Sequence, residues 1–401
     1  MNDTLLRRNR DFVLLQGGQL LSTFGSNVSR IAFPLLVLAV TGSPTKAGIV
    51  QAAEFAPMVL FSLPAGMVAD RFDRKRVMIA ADVISASAVG ALAAAILMHD
   101  TVFWLIVVVA FLDGAAGVFF IAAQSGAFRS IVPRSQLAAA ASVSQGRAAA
   151  VRLAGPPLGG ALFGVARALP FVVDAVSYAF STLSVLLMRT PFQEERERDP
   201  ARFRAQLVEG LRFLWKVPFL RMTALMIGVG NFAFSGAQLV VIVLAKRHGL
   251  SSGAIGGFVA LIGVTTLLGS VASPLLRRFL SMRAILLSEF WAALGALSFF
   301  VWPNVYVLAG ALAAQAFFFP NTDAAVISYR YALTPDRLIG RVVTASQNVS
   351  VLVLPLGPLA AGLLLDSVSP RATMAVFTGS ALCVAVWGTL SLPEASPAEA
   401  G

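Results

Sequence analysis

Twelve apolar runs, each of about 20 residues and parted by short turns that hold nearly all the charge, leave this chain few folds to choose from. They lie near residues 12–40, 47–68, 77–98, 102–125, 137–165, 171–188, 219–245, 254–276, 284–301, 305–328, 339–365 and 373–392. Each is long enough to cross a bilayer as a helix. With 57% hydrophobic and 13% charged residues, the chain lacks the polar surface that a soluble core of this length needs. The expected class is all-α, a polytopic membrane protein with twelve transmembrane helices. The net charge of +11 does not point to nucleic acid, because the cations sit in turns between apolar spans and not on one soluble face.

Those cations set an expected orientation. With both termini on the cytoplasmic side, 23 of the 31 Lys and Arg fall in cytoplasmic tails and loops. Five lie outside (Lys46, Arg167, Lys246, Arg247, Arg371) and three lie within spans. The run after Arg7, Arg8 and Arg10 resembles a secretory signal but is too long for one, so it is expected to stay as a first span. Cys383 is the one cysteine, and His99 and His248 fall in separate loops, so no disulfide, metal site or cofactor is expected.

The chain also repeats itself. Pro133, Ser144, Gln145, Gly155 and Pro156 recur 202 positions later as Pro335, Ser346, Gln347, Gly357 and Pro358, and Gly66 recurs near Gly269. Two related six-helix bundles follow, 1–189 and 218–401. Between them, residues 190–217 read as a cytoplasmic linker: an acidic run at Glu194 to Asp199, an N-cap and helix-opening proline at Asp199 and Pro200, then Leu207, Leu211, Leu214 and Trp215 at amphipathic spacing.

Between the second and third spans stands Gly66-Met-Val-Ala-Asp70-Arg71-Phe-Asp-Arg74-Lys75-Arg76. Gly66 offers a face on which another helix can sit close, Asp70 can cap a neighbouring helix N-terminus, and the cations hold the turn against anionic headgroups. This loop resembles the signature loop of the major facilitator superfamily, and its form is similar to the efflux branch, which includes siderophore (enterobactin) exporters and macrolide efflux pumps. Asp73 stands where that family usually has glycine. In the second copy, Ser273 replaces Asp70.

The resemblance implies two pseudo-symmetric bundles around a small-molecule path opened by alternating access, protons as coupling ion, a cytoplasmic (inner) membrane location and a monomer. In the fifth span Gly155, Pro156, Gly159 and Gly160 resemble the end of the superfamily's antiporter motif, which shapes a hinge against the eighth span. Val151 and Ser142 replace its upstream glycines. As a plain packing motif, the same small residues permit close helix contact.

Charges within spans mark function by default. Asp113 and Arg147 lie roughly 18 Å in from their helix ends at 1.5 Å rise per residue and are expected to pair. Arg152 lies five residues beyond Arg147. Arg30 and Glu54 flank the outer turn at equal depth and are expected to pair likewise. Asp113 and Glu54 are the proton-carrier candidates; a purely structural pair is the alternative for each. Asn231, Gln238, Gln315 and Asp323 are cavity candidates, with Phe232, Phe234 and Phe317 to Phe319 as a clasp for an amphiphile. Asp82, Asp174 and Glu289 read as caps or interface residues.

An enzyme is the rival reading, but Gly228-Val-Gly230 lies inside a span, where a dinucleotide fingerprint has no strand to follow. The expected function is proton-coupled export of a small amphiphile. Uptake by the same fold and a non-transporting membrane sensor are the alternatives.

Overall fold

The computed structural model describes residues 6–190, 192 and 200–392, and among them every regular element is a helix. The N-terminal six are α1 (Arg10–Thr41), α2 (Pro44–Arg71), α3 (Arg74–Leu97), α4 (Phe103–Ile131), α5 (Leu137–Val165) and α6 (Leu169–Leu187). They are followed by α7 (Pro200–Lys216), α8 (Pro218–Arg247) and α9 (Ser252–Phe279). The later spans are broken. The ninth runs as α10 (Met282–Ala292), a 3-10 turn and α11 (Ser298–Val301); the tenth as α12 (Val305–Ala316) and α13 (Phe319–Leu333); the eleventh as α14 (Ile339–Val351) and α15 (Leu356–Ser367). The twelfth is α16 (Pro370–Ser391).

Twelve helical stretches are long and apolar enough to cross a membrane, as the sequence predicts. The breaks were not expected. Pro320 opens α13 and Pro355 precedes α15, each lacking the N–H that a continuous helix requires. Proline alone does not decide it, since Pro34, Pro57, Pro64, Pro156 and Pro157 sit inside unbroken helices.

By contacts the chain forms two units, Met1–Arg198 with Gly249–Ala260, and Asp199–His248 with Leu261–Gly401. In the first, α1 lies against α6, α5 and α2, α4 against α2 and α3, and α3 against α6. Small residues set these distances, because lipid removes the hydrophobic drive between helices. On α1, a Cβ at Gly18 would meet Ser184, and one at Gly25 would meet Asp174 and Ser177, so the α1–α6 seam depends on both. In the second unit α8 packs on α15, α16 and α14, and α10 on α13 and α16. Large apolar side chains face outward on both, among them Leu60, Val271, Val301 and Leu390. Trp104 and Trp302, at span ends, are more than two-thirds exposed, which suits an interfacial belt.

The sequence repeat has a local counterpart in each unit. Pro133 and Pro335 both cap a single 3-10 turn that leads into a span, with φ, ψ of −56°, 143° and −57°, 141°. Gly155 packs on Asn27 of α1, and Gly357 on Phe232 and Gly236 of α8, the first span of each half. Gly66 and Gly269 differ: nothing lies within 4 Å of a Cβ at Gly66, whereas Gly269 rests against the Phe317 backbone. The close helix contact expected at Gly66 is therefore made at Gly269 instead.

The linker helix α7 is present, and it packs on α14. Gly210 lies under the Arg341 backbone, Leu214 is wholly buried and Arg341 pairs with Glu209. The acidic run and the cap at Asp199 lie outside the described residues.

Candidate functional site

The sequence places Arg30 and Glu54 at equal depth on either side of a tight turn, Gly42–Ser43, and the helices stay in register from there inward. Arg30 Nε donates to Glu54 Oε1 at 2.8 Å. The carboxylate side chain is 7% exposed, yet that of Arg30 is 56% exposed, so the guanidinium borders open volume. An arginine on lipid is costly, so a polar filling of that volume is favoured over hydrocarbon. Glu54 Oε2 is buried with no hydrogen-bond partner.

Asp113 is brought beside this pair by Gly114, where a Cβ would strike the Glu54 carbonyl and Pro57, so α4 lies hard against α2. The partner of Asp113 is not Arg147. Tyr178 Oη donates to Asp113 Oδ1 at 2.7 Å, and Ser26 Oγ lies 2.9 Å from the same phenol. Arg147 keeps Nε and Nη1 buried and unpartnered, and Arg152 is exposed. Equal depth did not make neighbours there, because α5 packs on α1 and α6 while α4 packs on α2 and α3.

Asp174, expected to be a cap or interface residue, lies fully enclosed in the α1–α6 interface one turn before Tyr178, with Ser29 Oγ 2.5 Å from Oδ2. Arg30, Glu54, Asp113, Asp174 and Tyr178 therefore form one cluster of the N-terminal unit, in which Glu54, Asp174 and Tyr178 are buried, Asp113 is half-buried and Arg30 is exposed. Tyr178 was missed from sequence. The signal for it was the polar stripe Asp174, Ser177, Tyr178, Ser181 and Ser184 at helical spacing along an apolar span.

The chemistry this allows is proton transfer with charge compensation. From Asp113 the chain runs through Tyr178 and Ser26 to the Ser22 carbonyl, 2.9 Å from Ser26 Oγ. An ionised Asp113 accepts from Tyr178, which can accept from Ser26. A neutral Asp113 donates to Tyr178, Tyr178 to Ser26, and Ser26 to the carbonyl. Both polarities are complete, so neither state strands a buried hydrogen.

The basic loop is wired differently from the lipid-facing turn expected. Asp70 pairs with Arg74 at 3.5 Å, while Arg71 stays exposed over Phe72. Arg74 donates to the Ala69 and Phe192 carbonyls (3.2 and 2.9 Å), and Lys75 to those of Leu186 and Met188 (3.0 and 2.8 Å). Lys75 thus serves orphan carbonyls at the C-terminus of α6, where cations are favoured. Asp73 accepts from Arg76 N at 3.1 Å and N-caps α3, a use for the residue that stands in place of glycine. Asp11 adds to the same knot, accepting the Arg189 and Thr190 backbone N–H groups and the Thr190 hydroxyl.

Gly126 makes room for Arg74, whose guanidinium occupies the place of a Cβ. Gly126→Leu should expel it at a cost of about 1–3 kcal/mol and speed trypsin cleavage after Arg189. Unchanged digestion would refute that role for the glycine.

On the other side of α5, Gly155 and Gly159 sit on Asn27 and Val28 of α1, Gly160 on the Ser252 carbonyl, and Gly256 on the Pro156 carbonyl. The start of the eighth span therefore meets the fifth backbone to backbone. In the second unit Asn231 donates to the Ser350 carbonyl at 2.9 Å, Gln315 is buried, Gln238 is half-buried and Asp323 is exposed near Glu289. Phe232 packs at a tilt against Phe377 and Phe234 edge-to-face against Phe319, with ring centroids 5.4 and 4.7 Å apart, all but Phe377 half-buried. Gly228 and Gly230 lie within α8, where Gly230 closes on Phe290.

Comparison with known proteins agrees with this architecture. The multidrug efflux pump Tap of Mycolicibacterium fortuitum is 27% identical over 359 residues, covering 87% of this chain and 88% of that one. Macrolide efflux protein A of Streptococcus pyogenes is 25% identical over 206 residues, 51% of each chain. Among solved structures, the nucleoside transporter NupG matches with a TM-score of 0.74 at 12% identity over 95% of this chain and 98% of that one. A bacterial homologue of the iron transporter ferroportin matches with a TM-score of 0.74 at 17% identity, over 97% and 99%. The family model described as Major Facilitator Superfamily matches residues 17–305, and the chain belongs to that superfamily of membrane transporters, not to the enzymes.

Proposed function

We propose that this protein is a secondary transporter that exports a small amphiphilic molecule in exchange for protons, by alternating access across the cytoplasmic membrane, with both termini inside. The observation that carries the reading is the half-buried Asp113, with a hydrogen-bond chain that is complete in two polarities, beside an Arg30–Glu54 pair whose guanidinium is exposed. Proton uptake at Asp113 reverses that chain and relaxes its pull on Arg30. Two relatives bear the names of efflux pumps, and this supports the direction. The half-buried phenylalanines of the second unit suit an apolar ligand, with Asn231, Gln238, Gln315 and Asp323 as polar contacts.

A drug-sensitive host expressing the protein and challenged with a panel of toxic amphiphiles identifies a substrate. Against that substrate, Asp113→Asn should lower proton-driven efflux by about tenfold or more, the equivalent of ~1.4 kcal/mol. Efflux at the wild-type rate would exclude Asp113 as the coupling group.

A further inference from the structure

The carboxyl of Asp174 lies outside the coupling step just described, and its surroundings supply too few hydrogens for an ion. Ser177 Oγ is 2.7 Å from the Asp174 backbone carbonyl and 3.5 Å from Oδ1, and its single hydrogen goes to the nearer acceptor. Ser29 Oγ is 2.5 Å from Oδ2 and 3.2 Å from the Ser26 carbonyl, again one hydrogen between two acceptors. The α1 backbone closes the remaining side at Gly25, where a Cβ would come within 2.7 Å of Oδ1. The charged and titratable groups that face Asp174 are Arg30 and Asp113, with Tyr178 on its own helix. Arg30 donates through Nε to Glu54 and Tyr178 donates to Asp113; the side-chain donors that reach the Asp174 carboxyl are Ser29 and Ser177.

The count closes when Asp174 carries a proton. Its O–H then donates to Ser29 Oγ, Ser29 to the Ser26 carbonyl, and Ser177 to the Asp174 carbonyl. The charge balance agrees. Glu54, Asp113 and Asp174 share this region with one guanidinium, and with all three ionised the fully enclosed Asp174 would hold a charge that no cation answers. Glu54 Oε2, buried and itself without a donor, shows that the region has none to spare for another anion.

We propose that Asp174 is a second proton-binding site of the N-terminal unit, holding a neutral carboxylic acid against Ser29 in this conformation. The proton passes from Oδ2 to water, leaving a carboxylate, when the Gly25 seam between α1 and α6 opens. The consequence for transport rests on the proton-coupled reading above; the protonation itself does not.

The test is infrared spectroscopy of the purified full-length protein in lipid nanodiscs at neutral pH, in the region of protonated carboxyl C=O stretches. Wild type should show a band that Asp174→Asn removes and that Ser29→Ala, which deletes the hydroxyl that accepts from it, moves to higher frequency. A spectrum unchanged by Asp174→Asn overturns the assignment. Should that variant fail to fold, a band unmoved by Ser29→Ala overturns it equally. If the band behaves as expected while Asp113→Asn still transports, the coupling reading fails and this assignment stands. If the band is unchanged while Asp113→Asn loses transport, this assignment fails and the coupling reading stands.

Discussion

Arg30→Met should abolish transport and lower the unfolding midpoint in detergent by several degrees, because it leaves the Glu54 carboxylate enclosed without its cation. Removing one partner of a buried pair costs about 3–5 kcal/mol. The lower end applies here, since more than half of the Arg30 side chain is exposed, and exposure weakens an ion pair. The second substitution separates stability from function. Arg30→Met with Glu54→Gln removes the stranded charge along with its partner, so the midpoint should return close to wild type while transport stays absent. If the double variant is no more stable than the single one, the loss came from packing of the arginine stem and not from the ion pair.

Gly256→Leu should stop transport altogether. A side chain there meets the Pro156 carbonyl and the Pro157 backbone, and neither can swing aside as a rotamer would. Overpacking a well-fitted contact costs about 1–3 kcal/mol even where side chains give way, and here two helices must part. Gly160→Leu, on the facing helix against Ser252, should behave alike. Gly257→Leu and Gly164→Leu provide the controls, because nothing lies within 4 Å of a Cβ at either position. Equal losses from Gly256→Leu and Gly257→Leu would mean that helix propensity or insertion, and not the fifth-to-eighth-span contact, explains the defect.

What the sequence discloses follows from how far each interaction reaches. The twelve spans are legible because hydropathy averages over some 20 residues and tolerates local error. The Arg30–Glu54 pair is legible because only a two-residue turn separates its helices, so depth alone sets the register. Asp113 and Arg147 show where depth fails: which helices touch is a lateral question, and α4 faces α2 and α3 whereas α5 faces α1 and α6. Lys75 illustrates the same limit at the surface. Its charge predicts a position near headgroups, but the carbonyls at the end of α6 are closer and no pattern in the loop announces them. The breaks at Pro320 and Pro355 were hidden by other prolines, such as Pro34 and Pro57, that leave their helices intact.

The most direct test uses protein reconstituted into liposomes with an acid lumen and a fluorescent amphiphile identified by the host screen. Molecules inserted with their cytoplasmic face outward should accumulate the amphiphile against its gradient as protons leave, a protonophore should collapse the accumulation, and Asp113→Asn should show none. Accumulation that survives the protonophore, or that Asp113→Asn sustains at the wild-type level, would contradict proton exchange at this site.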